Sequence, residues 1–224
     1  MIKKLDRFRN KENKIWLNVA SSTEVLDGFI NIENHPFIRI APLFPIVKFI
    51  IPSKYHERLK KFNEAMKSAI FIKHNCRKPL PFPSDSVDHI LSSHFLEHVF
   101  PSEAEKIIKD FHRVLKKGGT IHIIVPDIEF IVKEYLEAKD NGIQDAADKF
   151  IKRTILSRET RGSFKYRIVE FLGNLGLQHH WMYDKSSMIL RLKKLDFKIL
   201  EYYSSPSSNY RVGDNSVHLL VRKE

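Results

Sequence analysis

Three groups of residues carry side chains able to do chemistry. His94, Glu97 and His98 stand as H-x-x-E-H, a pattern used by zinc peptidases. Zinc would need both imidazoles turned the same way on a helix and a third ligand from elsewhere in the chain. The segment follows a strand-like run, Val87 to Ser92 (VDHILS). The expectation is therefore that Glu97 and His98 open the next helix and hydrogen-bond locally, with no metal. His179 and His180 precede Trp181 and Tyr183. An imidazole titrates near neutral pH, so His180 could take a proton from a substrate hydroxyl; a capping or packing role is the alternative. The aromatic residues of 164–183 are expected in the core rather than as a stacking platform. Asp85 and Asp88 are expected to shape the turn into the VDHILS run.

Apolar periodicity alternates between strand-like and helix-like segments. Strands are predicted at Ile15–Val19, Phe29–Glu33, Ala69–His74, Val87–Ser92, Thr120–Val125, Phe197–Tyr203 and Val217–Val221. Ser102 with Glu105 reads as a capping box opening a helix, whose apolar stripe is Ile107, Ile108, Phe111, Val114 and Leu115, with Gly118-Gly119 as its C-cap. Further helices are predicted at Ile128–Asn141, Gln144–Leu156 and Asp184–Leu195, the last capped by Asp184. Strands alternating with helices predict a largely parallel sheet covered on both faces, with ligands beyond the C-terminal strand ends. Only Ala20 to Gly28 separate the first two strands, too few for an ordinary crossover helix, so a single helical turn is expected there.

Asn75 to Asp127, NCRKPLPFPSDSVDHILSSHFLEHVFPSEAEKIIKDFHRVLKKGGTIHIIVPD, closely resembles a family of bacterial class I S-adenosylmethionine-dependent methyltransferases of the methyltransferase type 11 kind. That family places a PLPF…D segment before the fourth strand, S-H-x-L-E-H after it and RVLKPGG before the fifth. Leu17 to Pro36 resembles its first motif, LNLGCG…GWINVD, and His179 to Leu200 resembles its GHKFLYD…L…AGF segment. The resemblance implies a Rossmann-like three-layer α/β sandwich with a mostly parallel seven-stranded sheet whose last strand is antiparallel. It implies S-adenosylmethionine as cofactor, methyl transfer to an O or N acceptor, and, by analogy, a sugar or glycolipid as that acceptor. Carried over by position, the cofactor loop falls on Ala20, Ser21 and Ser22, the ribose carboxylate on Glu33, and an adenine contact on Asn75. Ser93 and His94 fall on the methionine side of the cofactor, and His180 or His94 on the place of a base. The family's Gly-Cys-Gly is Ala20-Ser21-Ser22 here. Positive φ is unfavourable for Ala and Ser, so the loop either changes shape or binds weakly. A catalytically silent binding or scaffold protein is thus the rival reading.

The 224 residues suit one domain, with an insertion at about 37–68 and a helical acceptor-side segment at about 128–180. The net charge is +11, but the lysines are spread along the chain, which reads as a solvated surface. Nucleic acid is an unfavoured partner, and an RNA methyltransferase would rest on charge alone. The stretch Ile38 to Pro52 is apolar but too short to span a bilayer and is broken by Arg39, Lys48 and prolines. Core packing, a lid or a peripheral membrane contact are its readings. The single cysteine, Cys76, and a basic N-terminus without an apolar run predict a cytoplasmic protein. Composition leaves the oligomeric state open.

Overall fold

A computed structural model of the chain describes residues 5–157, 178–200, 206–207, 209–211 and 213–224. Seven strands form one sheet: β1 (Trp16–Val19), β2 (Phe29–Glu33), β3 (Ile70–Lys73), β4 (Val87–Ser93), β5 (Leu115–Pro126), β6 (Phe197–Leu200) and β7 (Ser216–Lys223). Their order is β3-β2-β1-β4-β5-β7-β6. The first five pair in parallel, and β7 runs antiparallel between β5 and β6. The predicted fold is therefore the observed one, down to the reversed last strand.

Each strand divides its side chains between two faces, because successive residues point to opposite sides. Leu17, Val19, Ile30, Ile32, Ile121, Ile123, Val125, Val217, Leu219 and Val221 enter the main core. The helices α4 (Pro101–Val114) and α7 (Lys185–Lys193) close that face with Ala104, Ile107, Ile108, Phe111, Met188 and Leu192. Burying each of the larger side chains contributes about 1.5–3 kcal/mol. Asp184 caps α7 as expected, accepting from the Ser187 N–H at 2.6 Å. Two details of α4 differ from expectation. Its first residue is Pro101, which needs no N–H partner at N1, and Glu103, not Glu105, reaches back to the Phe100 N–H at 3.0 Å. Its end is Val114, because Leu115 is already extended and pairs with Val87 in the sheet. Gly118-Gly119 thus lies inside β5, where the register with β4 shifts between the Val87–Leu115 and His89–Thr120 pairs, rather than at a helix cap. A Cβ on Gly119 would stand 2.9 Å from the Lys116 carbonyl oxygen, so this approach admits only glycine.

Residues between β2 and β3 form two short helices, α1 (Phe37–Ile40) and α2 (Phe44–Val47), followed by the crossover helix α3 (His56–Ser68). Ile38, Ala41, Leu59 and Phe62 make a separate small core with Phe71 of β3 against it. Leu43, Ile46, Phe49 and Ile50 remain exposed. Beyond β5, α5 (Ile128–Asp140) and α6 (Ala146–Thr154) pack on one another. The remainder of the expected acceptor-side segment, 158–177, lies outside the described residues, as do the aromatic residues of 164–177 and the last part of the predicted sixth strand.

The connection between β1 and β2 contains no helix. Two turns suffice, closed by Glu24 N–H to Ser21 O (2.9 Å) and Phe29 N–H to Leu26 O (3.2 Å). The expected helical turn is absent because nine residues reach the neighbouring parallel strand directly. The second sheet face beside this connection is covered from the other end of the chain. Tyr210 packs on Phe29, Leu91 and Ile124. Buried Ser207 takes up His89 Nε2 and His122 Nδ1, each at 2.9 Å.

Candidate functional site

The strand order reverses where β1 lies between β2 and β4, and the C-terminal ends of these strands form the crevice at which open α/β sheets bind ligands. Three sequence features meet there. The first is the loop after β1. Ala20 and Ser22 have φ of 56° and 50°, left-handed values. The loop has kept the shape that glycine adopts freely and carries Ala and Ser in it at a conformational cost. Of the two outcomes expected for this loop, a change of shape or weak binding, a change away from left-handed φ is not what is observed.

The second is Glu33, the last residue of β2. Its Oε2 accepts the Ser22 N–H at 2.7 Å, and its Oε1 accepts the N–H groups of Asn34 (2.7 Å) and His35 (2.9 Å). Charge-assisted bonds of this kind are the strong ones, so Glu33 holds the loop closed from below. A pair of buried asparagines keeps the two strands in register under it. Asn18 Nδ2 donates to Asn31 Oδ1 at 3.0 Å and to Glu24 O at 2.8 Å. On the outer side, Glu24 is held by the Tyr210 hydroxyl and by Arg211 at 3.1 Å. Cys76 lies buried beneath the loop, its thiol pushed up to about 12 by burial, which leaves it unreactive.

The third is the end of β4. The hydroxyl oxygens of Ser21, Ser92 and Ser93 are buried and make no hydrogen bond among the described residues. Buried polar atoms are nearly always satisfied, and Ser92 and Ser93, consecutive on β4, present theirs to opposite faces of the sheet end. Ser92 and the part played by Ser21's orphan hydroxyl escape sequence reasoning, since neither residue type nor spacing distinguishes them from core serines.

Among the other residues singled out in the sequence, Asn75 Oδ1 caps its own turn by accepting the Arg77 N–H at 3.0 Å. His94 has φ of 49°. Its Nδ1 meets Glu97 Oε1 at 3.2 Å and its Nε2 meets Ser216 Oγ at 3.4 Å, which ties the end of β4 to the start of β7. His180 stacks on Phe100 at 4.5 Å between ring centroids, and its N–H bonds to the Glu97 carbonyl at 2.7 Å. Both candidate bases therefore border one short 3-10 turn, Leu96–His98. Asp88 receives the Ile15 N–H and Lys116 Nζ, and Asp85 pairs with Lys223, both structural uses.

The crevice thus holds a carboxylate at the end of β2, a tight left-handed loop after β1, and buried hydroxyls without partners among the described residues at the end of β4. A family profile described as a methyltransferase domain matches residues 50–123, about a third of the chain, running from α2's exit through β5 and leaving out the Ala20–Ser22 loop. No curated protein matches. A crystal structure from Pyrococcus horikoshii is similar in fold, with 16% identity, a TM-score of 0.53, and coverage of 94% of this chain and 82% of that one. A structure from Methanosarcina mazei described as a SAM-dependent methyltransferase is similar over 99% of this chain and 98% of its own, at 16% identity and a TM-score of 0.51. The profile match over residues 50–123, the sheet order and the likeness to these solved structures give the chain the Rossmann-like α/β fold of class I methyltransferases.

Proposed function

We propose that this chain binds S-adenosylmethionine at the ends of β1, β2 and β4 and methylates an oxygen or nitrogen nucleophile. The observation that carries the reading is the left-handed Ala20–Ser22 loop at the switch point, held by the Glu33 carboxylate at the end of the neighbouring strand. The bound cofactor supplies an electrophilic methyl group on a sulfonium. The protein's own work is alignment in a closed site, which accounts for most of the acceleration in such transfers. Glu33 accepts the ribose hydroxyls, exchanging its bond to the Ser22 N–H for them. Ser93, at the end of β4, donates to the polar end of the ligand. His180 holds the proton of a hydroxyl acceptor, while His94, engaged at both ring nitrogens, orients the strand end.

The acceptor in this reading is a sugar or glycolipid. Leu43, Ile46, Phe49 and Ile50 are exposed beyond the C-terminal end of β2. Residues 34–56 carry Arg39, Lys48 and Lys54 and no carboxylate. An apolar tip with only positive charge suits an anionic membrane surface bearing a lipid-linked acceptor. Calorimetry with S-adenosylmethionine and S-adenosylhomocysteine tests the cofactor, and sedimentation with anionic against neutral vesicles tests the surface. A second reading, a binding protein that has lost catalysis, draws on the strained loop and on Glu33 already carrying three backbone bonds. It takes over if neither the wild type nor a folded Ala20→Gly/Ser22→Gly variant binds either ligand.

A further inference from the structure

The H-x-x-E-H segment acquires a third partner that its spacing does not reveal. Glu97, His98 and His179 converge with their ligand-capable atoms within 4.8 Å of one another, Glu97 and His179 buried and His98 half-buried. The hydrogen bonds fix both imidazoles in one tautomer. His98 Nδ1 lies 3.1 Å from the carbonyl oxygen of Gln178, and His179 Nδ1 lies 2.7 Å from that of Thr154. A carbonyl only accepts, so each Nδ1 carries a hydrogen and each Nε2 is the ring nitrogen left for a further partner. Between them stands Glu97, fully buried, with Oε1 bonded to His94 and Oε2 bonded to nothing among the described residues.

Two imidazole Nε2 atoms face a buried carboxylate with an orphaned oxygen, an arrangement that a cation at their centre would satisfy. Metal-binding histidines show this same outer arrangement, the second ring nitrogen donating to a backbone carbonyl. We propose that Glu97, His98 and His179 form a site for a divalent first-row metal ion of the zinc type, with His94 as the outer partner that holds the carboxylate. Nitrogen and oxygen donors of this kind suit zinc, and three protein ligands leave a fourth position for water or an acceptor atom. His98 Nε2 and Glu97 Oε1 are 4.0 Å apart. Ligand atoms around tetrahedral zinc lie about 3.3 Å apart, so from a spread of up to 4.8 Å binding draws the side chains inward by up to about 1.5 Å. The ion would clamp the turn after β4 to the segment leading into α7, and with it the backbone that carries His180. The site does not depend on the cofactor reading.

The test uses the full chain, stripped with chelator and titrated with zinc chloride in the absence of any cofactor. One saturable equivalent is expected. His98→Ala and His179→Ala should each weaken it by about a hundredfold or more, and Glu97→Gln, close in shape, should weaken it as well. With eleven histidines in the chain, His74→Ala serves as the control and should bind as the wild type does. No saturable equivalent, or undiminished binding by folded His179→Ala, overturns the proposal. Should the variants fail to fold, X-ray absorption on the wild-type zinc complex decides. Two imidazole nitrogens at about 2.0–2.1 Å support the site, and a shell without two imidazoles overturns it.

Discussion

Replacing Ala20 and Ser22 with glycine asks whether the loop after β1 is held against its own preference. Both residues lie near φ +50°, where a Cβ costs about 1–2 kcal/mol. Glycine returns about 0.4–1 kcal/mol of that gain through its freedom in the unfolded chain. The net gain is about 0.5–1 kcal/mol per site, with Ala20 at the lower end because its methyl group packs on the main core. In a chain of this size 1 kcal/mol moves Tm by about 2–4 °C, so the double variant should melt roughly 2–8 °C above wild type. Ser21 provides the internal control. It sits between the two, is not left-handed, and is buried, so Ser21→Gly gains nothing from φ and loses about 0.5–1 kcal/mol to flexibility. The sign must therefore reverse at the middle of three consecutive residues. Thermal and urea unfolding by circular dichroism reads this directly. A double variant no more stable than wild type, or a stabilising Ser21→Gly, would refute the argument that strain is stored here.

Burial lowers the pKa of His89 to about 3 and of His122 to about 4, so both are neutral in the native state. Their stabilising share is present above the unfolded value near 6.5 and is lost as pH falls from there; at pH 5 each costs about 2 kcal/mol. Urea unfolding at pH 7.5 and 5.0 should differ by several kcal/mol, and equal midpoints would contradict the burial of these rings. Glu33→Gln removes the charge that gathers three backbone N–H groups and should lower stability by about 1–3 kcal/mol and cofactor affinity by about tenfold; calorimetry showing unchanged affinity would remove Glu33 from the site. Asp184→Ala should cost about 1 kcal/mol through the lost α7 cap, measured as a fall in Tm with activity retained.

Much of the fold was readable from local pattern. Val19, Ile32, Ser92 and Val125 end strands near where the apolar runs stop, and Asp184 opens its helix. Ser102 and Gly118-Gly119 misled because local capping signals compete with the sheet, and pairing of Leu115 with Val87 wins. The loop at 20–22 could be located by resemblance, but its left-handed geometry depends on Glu33 gripping Ser22 across eleven residues. His179 meets Glu97 and His98 across some eighty residues, and no spacing rule reaches that far. Buried His89 and His122 were invisible for the same reason, since their partner Ser207 arrives from the far end of the chain.

That late arrival has a consequence for synthesis. A chain growing from its N-terminus forms β1, β2, β4 and β5 long before Ser207 and Tyr210 exist. Until they emerge, Trp16, Phe29, Leu91 and Ile124 face solvent together with the two imidazoles. A nascent intermediate with this exposed apolar surface is prone to self-association and to capture by chaperones. Truncations ending before residue 206 should therefore be recovered as aggregates, whereas removal of the first few residues should leave the protein soluble.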